Sequence, residues 1–282
     1  MKFSKKGVQK AFAKSAQSYD DAAVLQKEVL ARLLEKLKLL HPNPIQRVLD
    51  LGSGTGLSVE SLTKMYGDDS YFAYDLAQAM LKHAQSNYKH INQHAICGDV
   101  EALPYQQNTF DIVFSASTFQ WCNDITDAFN ASHEVLREGG LLLFSTFGPR
   151  TLIELSDCFA KVDNQPHVSS FVDIQTLGDC LFASGFNAPV MESEVITVEY
   201  PSPTQLLKDL QATGATNQLQ QRERGLMSKS RFKKMLEEYE KLVLSNGKYP
   251  ASYEVIYGHG WKRLKEKSSQ IGANEWQPIV FN

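Results

Sequence analysis

Arg47-Val48-Leu49-Asp50-Leu51-Gly52-Ser53-Gly54-Thr55-Gly56 carries most of what this chain says about its own architecture. A short apolar run that ends directly in alternating glycines reads as a buried strand feeding a tight loop. Glycine at 52, 54 and 56 permits positive φ and lets main-chain amides approach a ligand with no Cβ in the way. Taken alone, the same loop reads equally as a plain strand-to-helix turn. A dinucleotide fingerprint of the form G-x-G-x-x-G requires glycine where this chain has Leu57, so nicotinamide binding is the less favoured reading.

Upstream, apolar residues at 25, 29, 30, 33, 34, 37 and 40 follow a helical period and leave Lys27, Arg32, Glu35, Lys36 and Lys38 to water. His41-Pro42-Asn43-Pro44 breaks that helix before the strand. Downstream the alternation repeats: helix 57–66, strand 71–75, helix 77–86, strand 94–97, strand 110–114, helix 125–137 stopped at Gly139-Gly140, and strand 141–145. Strands alternating with helices imply parallel pairing through right-handed crossovers. The predicted fold class is therefore α/β: a Rossmann-like, doubly wound, mostly parallel sheet with an N-terminal helical cover and a helical lid or insertion. Further helices are expected near 151–162, 173–184, 203–213 and 228–245, with a strand at 195–200. The expected division is a cover over 1–44, a ligand-binding core over 45–200 that includes part of the insertion, a lid and completion of the core over 201–265, and a flexible tail over 266–282.

Composition narrows the function classes. With 29 basic and 32 acidic residues and a formal charge of -3, the 282-residue chain has no global field suited to nucleic acid or an anionic membrane, and neither partner is expected. Cys97, Cys122, Cys158 and Cys180 show no CxxC spacing and no clustered histidines, so no metal is expected and the thiols read as reduced. The start, Met1 to Lys6, is basic but leads into a mixed polar helix, and no segment reaches the roughly 18 apolar residues of a membrane span, so the expected location is cytoplasmic.

Three carboxylates after three strands define the candidate site. Asp50 closes the first strand. Asp75 lies 19 residues past Gly56, where an acid accepts hydrogen bonds from both ribose hydroxyls, although a helix cap at that place is equally ordinary. Asp99 and Val100, in Gly98-Asp99-Val100-Glu101-Ala102-Leu103-Pro104, offer an acceptor and an amide donor to an adenine edge; an Asx-turn is the plain alternative for Asp99. Met80 packs either on the adenine or in the core.

These elements, with Phe110-Asp111-Ile112-Val113 and Leu136-Arg137-Glu138-Gly139-Gly140, resemble the class I S-adenosylmethionine-dependent methyltransferases across residues 45–148. Further stretches are similar to one family within them, the malonyl-acyl-carrier-protein O-methyltransferases of biotin synthesis. They are Val8 to Asp20, Phe119-Gln120-Trp121-Cys122, Phe144-Ser145-Thr146-Phe147-Gly148, Gly214-Ala215-Thr216-Asn217, and Tyr249-Pro250 through Trp261. Glu138 departs from the proline that the family often has before the glycine pair, and residues 266–282 have no counterpart.

The resemblance implies S-adenosylmethionine as the cofactor, held by Tyr19, Asp50, Gly52, Ser53, Gly54, Gly56, Asp75, Leu76, Met80, Asp99, Val100 and Ser115, with Tyr19 closing over the donor and orienting it. It implies a malonyl-loaded acyl carrier protein as the acceptor. A malonyl carboxyl is already ionised at neutral pH, so no catalytic base is assigned to any histidine, His133 included. Gln120 and Trp121, after the fourth strand, are placed on the acceptor channel, and Arg150, after strand 141–145, is the candidate clamp; packing for Trp121 and a solvated loop for Arg150 are the plain alternatives. An acidic carrier directs attention to Arg222, Arg224, Arg231, Lys233 and Lys234, which otherwise form a solvated helix face. The core alone leaves two alternatives open: methylation of another small molecule such as a quinone precursor, or a methyltransferase-like assembly factor that acts on a protein.

Overall fold

The structure, a computed structural model, describes residues 2–40, 45–91, 94–218 and 227–264. Three helices come first: α1 (Lys5–Ser15), the short α2 (Tyr19–Ala22) and α3 (Val24–Leu40). Ser4 caps α1, its Oγ accepting from the Gly7 amide at 3.1 Å. The alternating part follows as β1 (Val48–Leu51), α4 (Val59–Tyr66), β2 (Tyr71–Asp75), α5 (Gln78–Asn87), β3 (His94–Cys97), β4 (Phe110–Ser115), α6 (Ile125–Val135) and β5 (Leu136–Phe147). Then come α7 (Ile153–Ala160), α8 (Ile174–Ala183), β6 (Phe186–Tyr200), α9 (Pro203–Ala212), α10 (Lys229–Glu240) and β7 (Tyr249–Lys262).

The sheet order is β3-β2-β1-β4-β5-β7-β6. The strands from β1 to β5 pair in parallel, and β7 runs antiparallel between β5 and β6. Because side chains alternate across a strand, the same strands feed two apolar layers. Val48, Ile112, Phe114, Leu141 and Leu143 pack with Leu33 and Leu37 of α3 on one face. Leu49, Leu51, Val113, Leu142 and Phe144 pack with Phe129 of α6 and Leu181 of α8 on the other. All parallel strands therefore end on one edge of the sheet, where their loops meet.

Three expectations need correction. Helix α6 stops at Val135 rather than 137, and Gly139-Gly140 lies inside β5 instead of ending a helix. The pair sits where β5 shifts register against β4 between Phe110 and Ile112, and Gly139 takes φ +76°, so its freedom serves a bulge. Strand β6 begins at Phe186, well before 195, because β7 pairs along its length. Strand β7 itself was not anticipated. Its interior glycines weaken the strand signal, yet packing demands one of them: a Cβ on Gly258 would lie 2.4 Å from the Phe144 ring.

Candidate active site

At the carboxyl ends of β1 and β2 the glycine loop is stitched to its neighbour. Gly52 N and Ser53 N both donate to Tyr74 O, at 2.7 and 3.1 Å, and Gly54 N donates to Asp75 Oδ2 at 3.0 Å. Asp75 Oδ1 accepts from Ala77 N at 2.7 Å, so the expected tie to the following helix exists, and the carboxylate also borders the cleft. Burial pushes the Asp75 carboxyl up to about 6 against the pull of those two amides. The loop's glycines differ in purpose. A Cβ on Gly52, which has φ +73°, would fall 1.9 Å from Thr118 Oγ1, whereas one on Gly54 would meet nothing nearer than 3.9 Å. Gly52 thus serves close packing, and Gly54 leaves main chain open to the cleft.

Leu76, Met80, Asp99, Val100 and Tyr19 also line this cleft. Asp99 takes its Asx-turn, Oδ1 accepting from Glu101 N at 3.2 Å, and the same oxygen accepts from Lys5 Nζ at 2.9 Å. Lys5 also pairs with Glu101, which latches α1 over the cleft. Burial and the nearby Asp75 push the Tyr19 hydroxyl well above its ordinary range, so it stays a neutral donor.

Four predicted residues stand off the cleft. Asp50 is buried, accepting from Ser58 Oγ and from Tyr71 Oη at 2.9 Å, and burial raises it to about 6; it braces β1 against β2 and α4. Ser115 Oγ donates to Leu51 O at 3.0 Å. Ser53 and Gly56 belong to the loop but not to the cleft wall.

Ser117, which spacing alone did not single out, does line the cleft. Its φ is +54°, its amide donates to Ser145 Oγ at 3.0 Å, and its own hydroxyl is buried with no hydrogen-bond partner among the described residues. A strained backbone with an unused buried hydroxyl is a common mark of a ligand contact. No periodicity announces it.

Beside the cleft opens a cavity of about 1530 Å³. Trp121 borders both spaces, and Gln120 lines the cavity while its Nε2 donates to Ser117 O at 2.6 Å. The aromatic rings of Phe3 and Phe12 meet Trp121 edge-on at 5.5 and 5.4 Å. Arg150 lines neither space. Its side chain is 60% exposed and lies 3.5 Å from Glu254.

Of the basic stretch, Arg222 and Arg224 lie outside the described residues. Arg231 stands 3.7 Å from Asp163, Lys233 stands 3.6 Å from Glu237, and Lys234 is exposed. Among the described residues no group of three or more His, Cys, Asp or Glu is placed to hold a metal, and no helix is long and apolar enough to cross a membrane.

Residues 49–144 match a family model described as a methyltransferase domain. A protein of Gallionella capsiferriformans (strain ES-2) named malonyl-acyl-carrier-protein O-methyltransferase is 43% identical over 265 residues, covering 92% of this chain and 91% of that one. In fold, the chain is similar to the YcgJ protein of Bacillus subtilis, with a TM-score of 0.60 at 17% identity, covering 83% of this chain and 99% of that one. It is also similar in fold to phosphoethanolamine N-methyltransferase 2 of Haemonchus contortus in complex with S-adenosyl-L-methionine, with a TM-score of 0.54 at 16% identity, covering 89% of this chain and 57% of that one.

Proposed function

This chain belongs to the malonyl-acyl-carrier-protein O-methyltransferase family, and we propose that it methylates the free carboxyl of a malonyl group carried by an acyl carrier protein, with S-adenosylmethionine as donor. In this reading the methyl ester primes chain elongation toward the pimeloyl part of biotin. The neutral ester suits apolar elongation sites, since burying an unpaired carboxylate is costly and burying its ester is not. The work takes place in the cytoplasm, in keeping with four free cysteines.

The observation that carries the reading is the meeting of two spaces of very different size at Trp121: a narrow cleft at the strand ends, bordered by the carboxylates of Asp75 and Asp99, and a large cavity beside it. The cleft's chemistry suits an adenosyl donor. Each Asp75 oxygen accepts one amide and keeps lone-pair capacity for ribose hydroxyls. Gly54 offers bare main chain, and Ser117 an uncommitted hydroxyl. As folded, the cleft measures about 70 Å³, well under the ~300 Å³ of ordinary ligand pockets. Donor entry therefore requires the cover of α1 and α2, which brings Phe12 and Tyr19 onto the cleft, to move outward.

The donor supplies a methyl group bound to its own leaving group, so the protein's contribution is alignment and exclusion of water. A malonyl carboxylate needs no base. The carrier docks on α10, where Lys233 and Lys234 are exposed. Reversing both charges raises KM for malonyl-carrier, more at low salt than at high, and leaves malonyl-coenzyme A unaffected.

One assay tests the function. Protein, donor and malonyl-carrier are incubated and the carrier weighed by mass spectrometry, with acetyl-carrier as control. One added methyl on the malonyl carrier alone is the expected result; no added methyl removes the reading.

A further inference from the structure

The large cavity must receive a carboxylate if the reading above holds, and an anion entering an apolar space needs a cationic or hydrogen-bonding partner. Among the described residues that line it there is no lysine or arginine, while Glu199 and Asp209 add negative charge. Among the described lining residues, His167 is the one whose side chain can carry positive charge.

His167 is also unusually well held. Its Nε2 lies 2.7 Å from Asp163 Oδ1, and its ring stacks on Phe159 at 4.0 Å with 16° between planes. Arg231 Nε stands 3.7 Å from the other oxygen of Asp163. Although partial burial opposes it, the Gln165 amide and the His167 ring hold the Asp163 carboxyl below its ordinary value. With Nε2 committed to Asp163, the other ring nitrogen, Nδ1, has no hydrogen bond among the described residues. A carboxylate on one ring nitrogen fixes the orientation of the imidazole and leaves the other nitrogen for a ligand.

The loop that carries His167 is tied back to the donor side. Asn217 Nδ2 donates to Pro166 O at 2.6 Å, and the next residue, Gln218, accepts the Ser4 amide at 3.0 Å. Phe3, adjacent to Ser4, packs on Trp121, the indole shared by both spaces.

We propose that His167 holds the acceptor carboxylate through Nδ1–H, and that Asp163 is the positioning residue that aims its ring. One carboxylate oxygen accepts that hydrogen bond, and the other stays free to face the donor's methyl. The proposal rests on the functional reading above but has its own test.

Malonyl-coenzyme A and its methyl ester, the same molecule with and without the charge, are titrated into the wild-type protein, His167→Gln, His167→Ala and Asp163→Asn. Wild type is expected to prefer the acid. Both His167 variants are expected to weaken the acid about tenfold while leaving the ester within about twofold, with KM for malonyl-carrier rising more than kcat falls. Asp163→Asn is expected to weaken the acid by a smaller factor and in the same pattern. A purely structural role would move acid and ester together, and that result overturns the proposal, as does a wild type that does not prefer the acid. Because binding is read without turnover, a wild type that discriminates but transfers no methyl sinks the functional reading and leaves the clamp standing. His167→Gln keeps much of the ring's bulk and carries the test if His167→Ala fails to fold.

Discussion

The donor cleft and the large cavity meet at Trp121, yet they are assembled by opposite means. The floor of the cleft is made of short windows at strand ends, Gly52 and Gly54 after β1, Asp75 and Leu76 at the end of β2, Asp99 and Val100 after β3, and Ala116 to Thr118 after β4, while Lys5, Val8, Phe12 and Tyr19 of the N-terminal cover close it from the other side. Parallel topology brings those windows together whatever the rest of the chain does. The cavity instead gathers Ser4, Leu155, His167, Tyr200, Leu210 and Tyr253 from elements scattered along the chain, with no common spacing. In the proposed reading, donor chemistry is thus dictated largely by local backbone, and acceptor chemistry by packing between distant segments. The two regions should therefore respond differently to substitution.

Gly52→Ala should have the largest effect. Its Cβ would fall 1.9 Å from Thr118 Oγ1, which donates to Leu51 O, at a backbone φ of +73°. Strain of about 1–2 kcal/mol adds to the clash, and both displace the loop amides. Donor affinity by calorimetry should drop about 100-fold, since charge-assisted and backbone contacts are lost together. Phe159→Ala in the cavity should cost stability and raise acceptor KM only several-fold, leaving donor affinity intact. Equal losses of donor affinity in the two variants would erase the distinction between the regions.

Asp75→Asn comes next, and pH sharpens it. Burial raises the Asp75 and Asp50 carboxyls to about 6 in the fold, from about 3.9 in an unfolded chain. A group raised in this way adds stability that is complete below the unfolded value and is lost as pH rises through about 6. In the proposed reading donor binding has the opposite sign, because there the ionised Asp75 accepts the ribose hydroxyls. Between pH 7 and 5 the wild-type donor Kd should therefore rise by up to about tenfold, while these two carboxyls make the fold more stable. Asp75→Asn should weaken the donor about tenfold or more at pH 7 and flatten the profile. An unchanged slope in Asp75→Asn would show that another group sets it.

The same contrast explains what could be read in the sequence. The strand, the glycine loop and the carboxylates at 75 and 99 were legible because βα geometry fixes their spacing. Asp50, read as a donor contact, instead braces the sheet through Ser58 and Tyr71, a role that spacing does not separate from binding. Ser117 and His167 were not legible. One is marked by a backbone angle and an unused hydroxyl, the other by a partner and a stacking ring that only the fold supplies. Strand β7 was missed because glycines that pack tightly against Phe144 look, in one dimension, like glycines in a loop.

Trp121→Ala tests the seam. The indole loses edge contacts with Phe3 and Phe12, each worth about 0.5–1.5 kcal/mol beyond area. Because it faces both spaces, donor Kd and acceptor KM should each worsen about fivefold, and neither should worsen alone. A change confined to one would mean that the wall belongs to that space only.

The smallest expected effect is at Arg150, the residue that sequence position favoured as the acceptor clamp. Its guanidinium lies 3.5 Å from Glu254 and is 60% exposed, while Glu254 is 10% exposed. The Arg150 amide donates to Glu254 Oε2 at 2.9 Å, a bond that alanine keeps. Arg150→Ala therefore removes an exposed ion pair worth at most about 1 kcal/mol, and kcat/KM for malonyl-carrier should stay within about twofold of wild type. A 100-fold loss would carry a definite meaning: once the cover moves, the acceptor's charge is met at the strand ends, and the cavity holds only the neutral part of the chain. Since the clamp assigned to His167 excludes that arrangement, the pair of variants decides between them. Arg150→Ala should spare the preference for acid over methyl ester, and His167→Gln should abolish it.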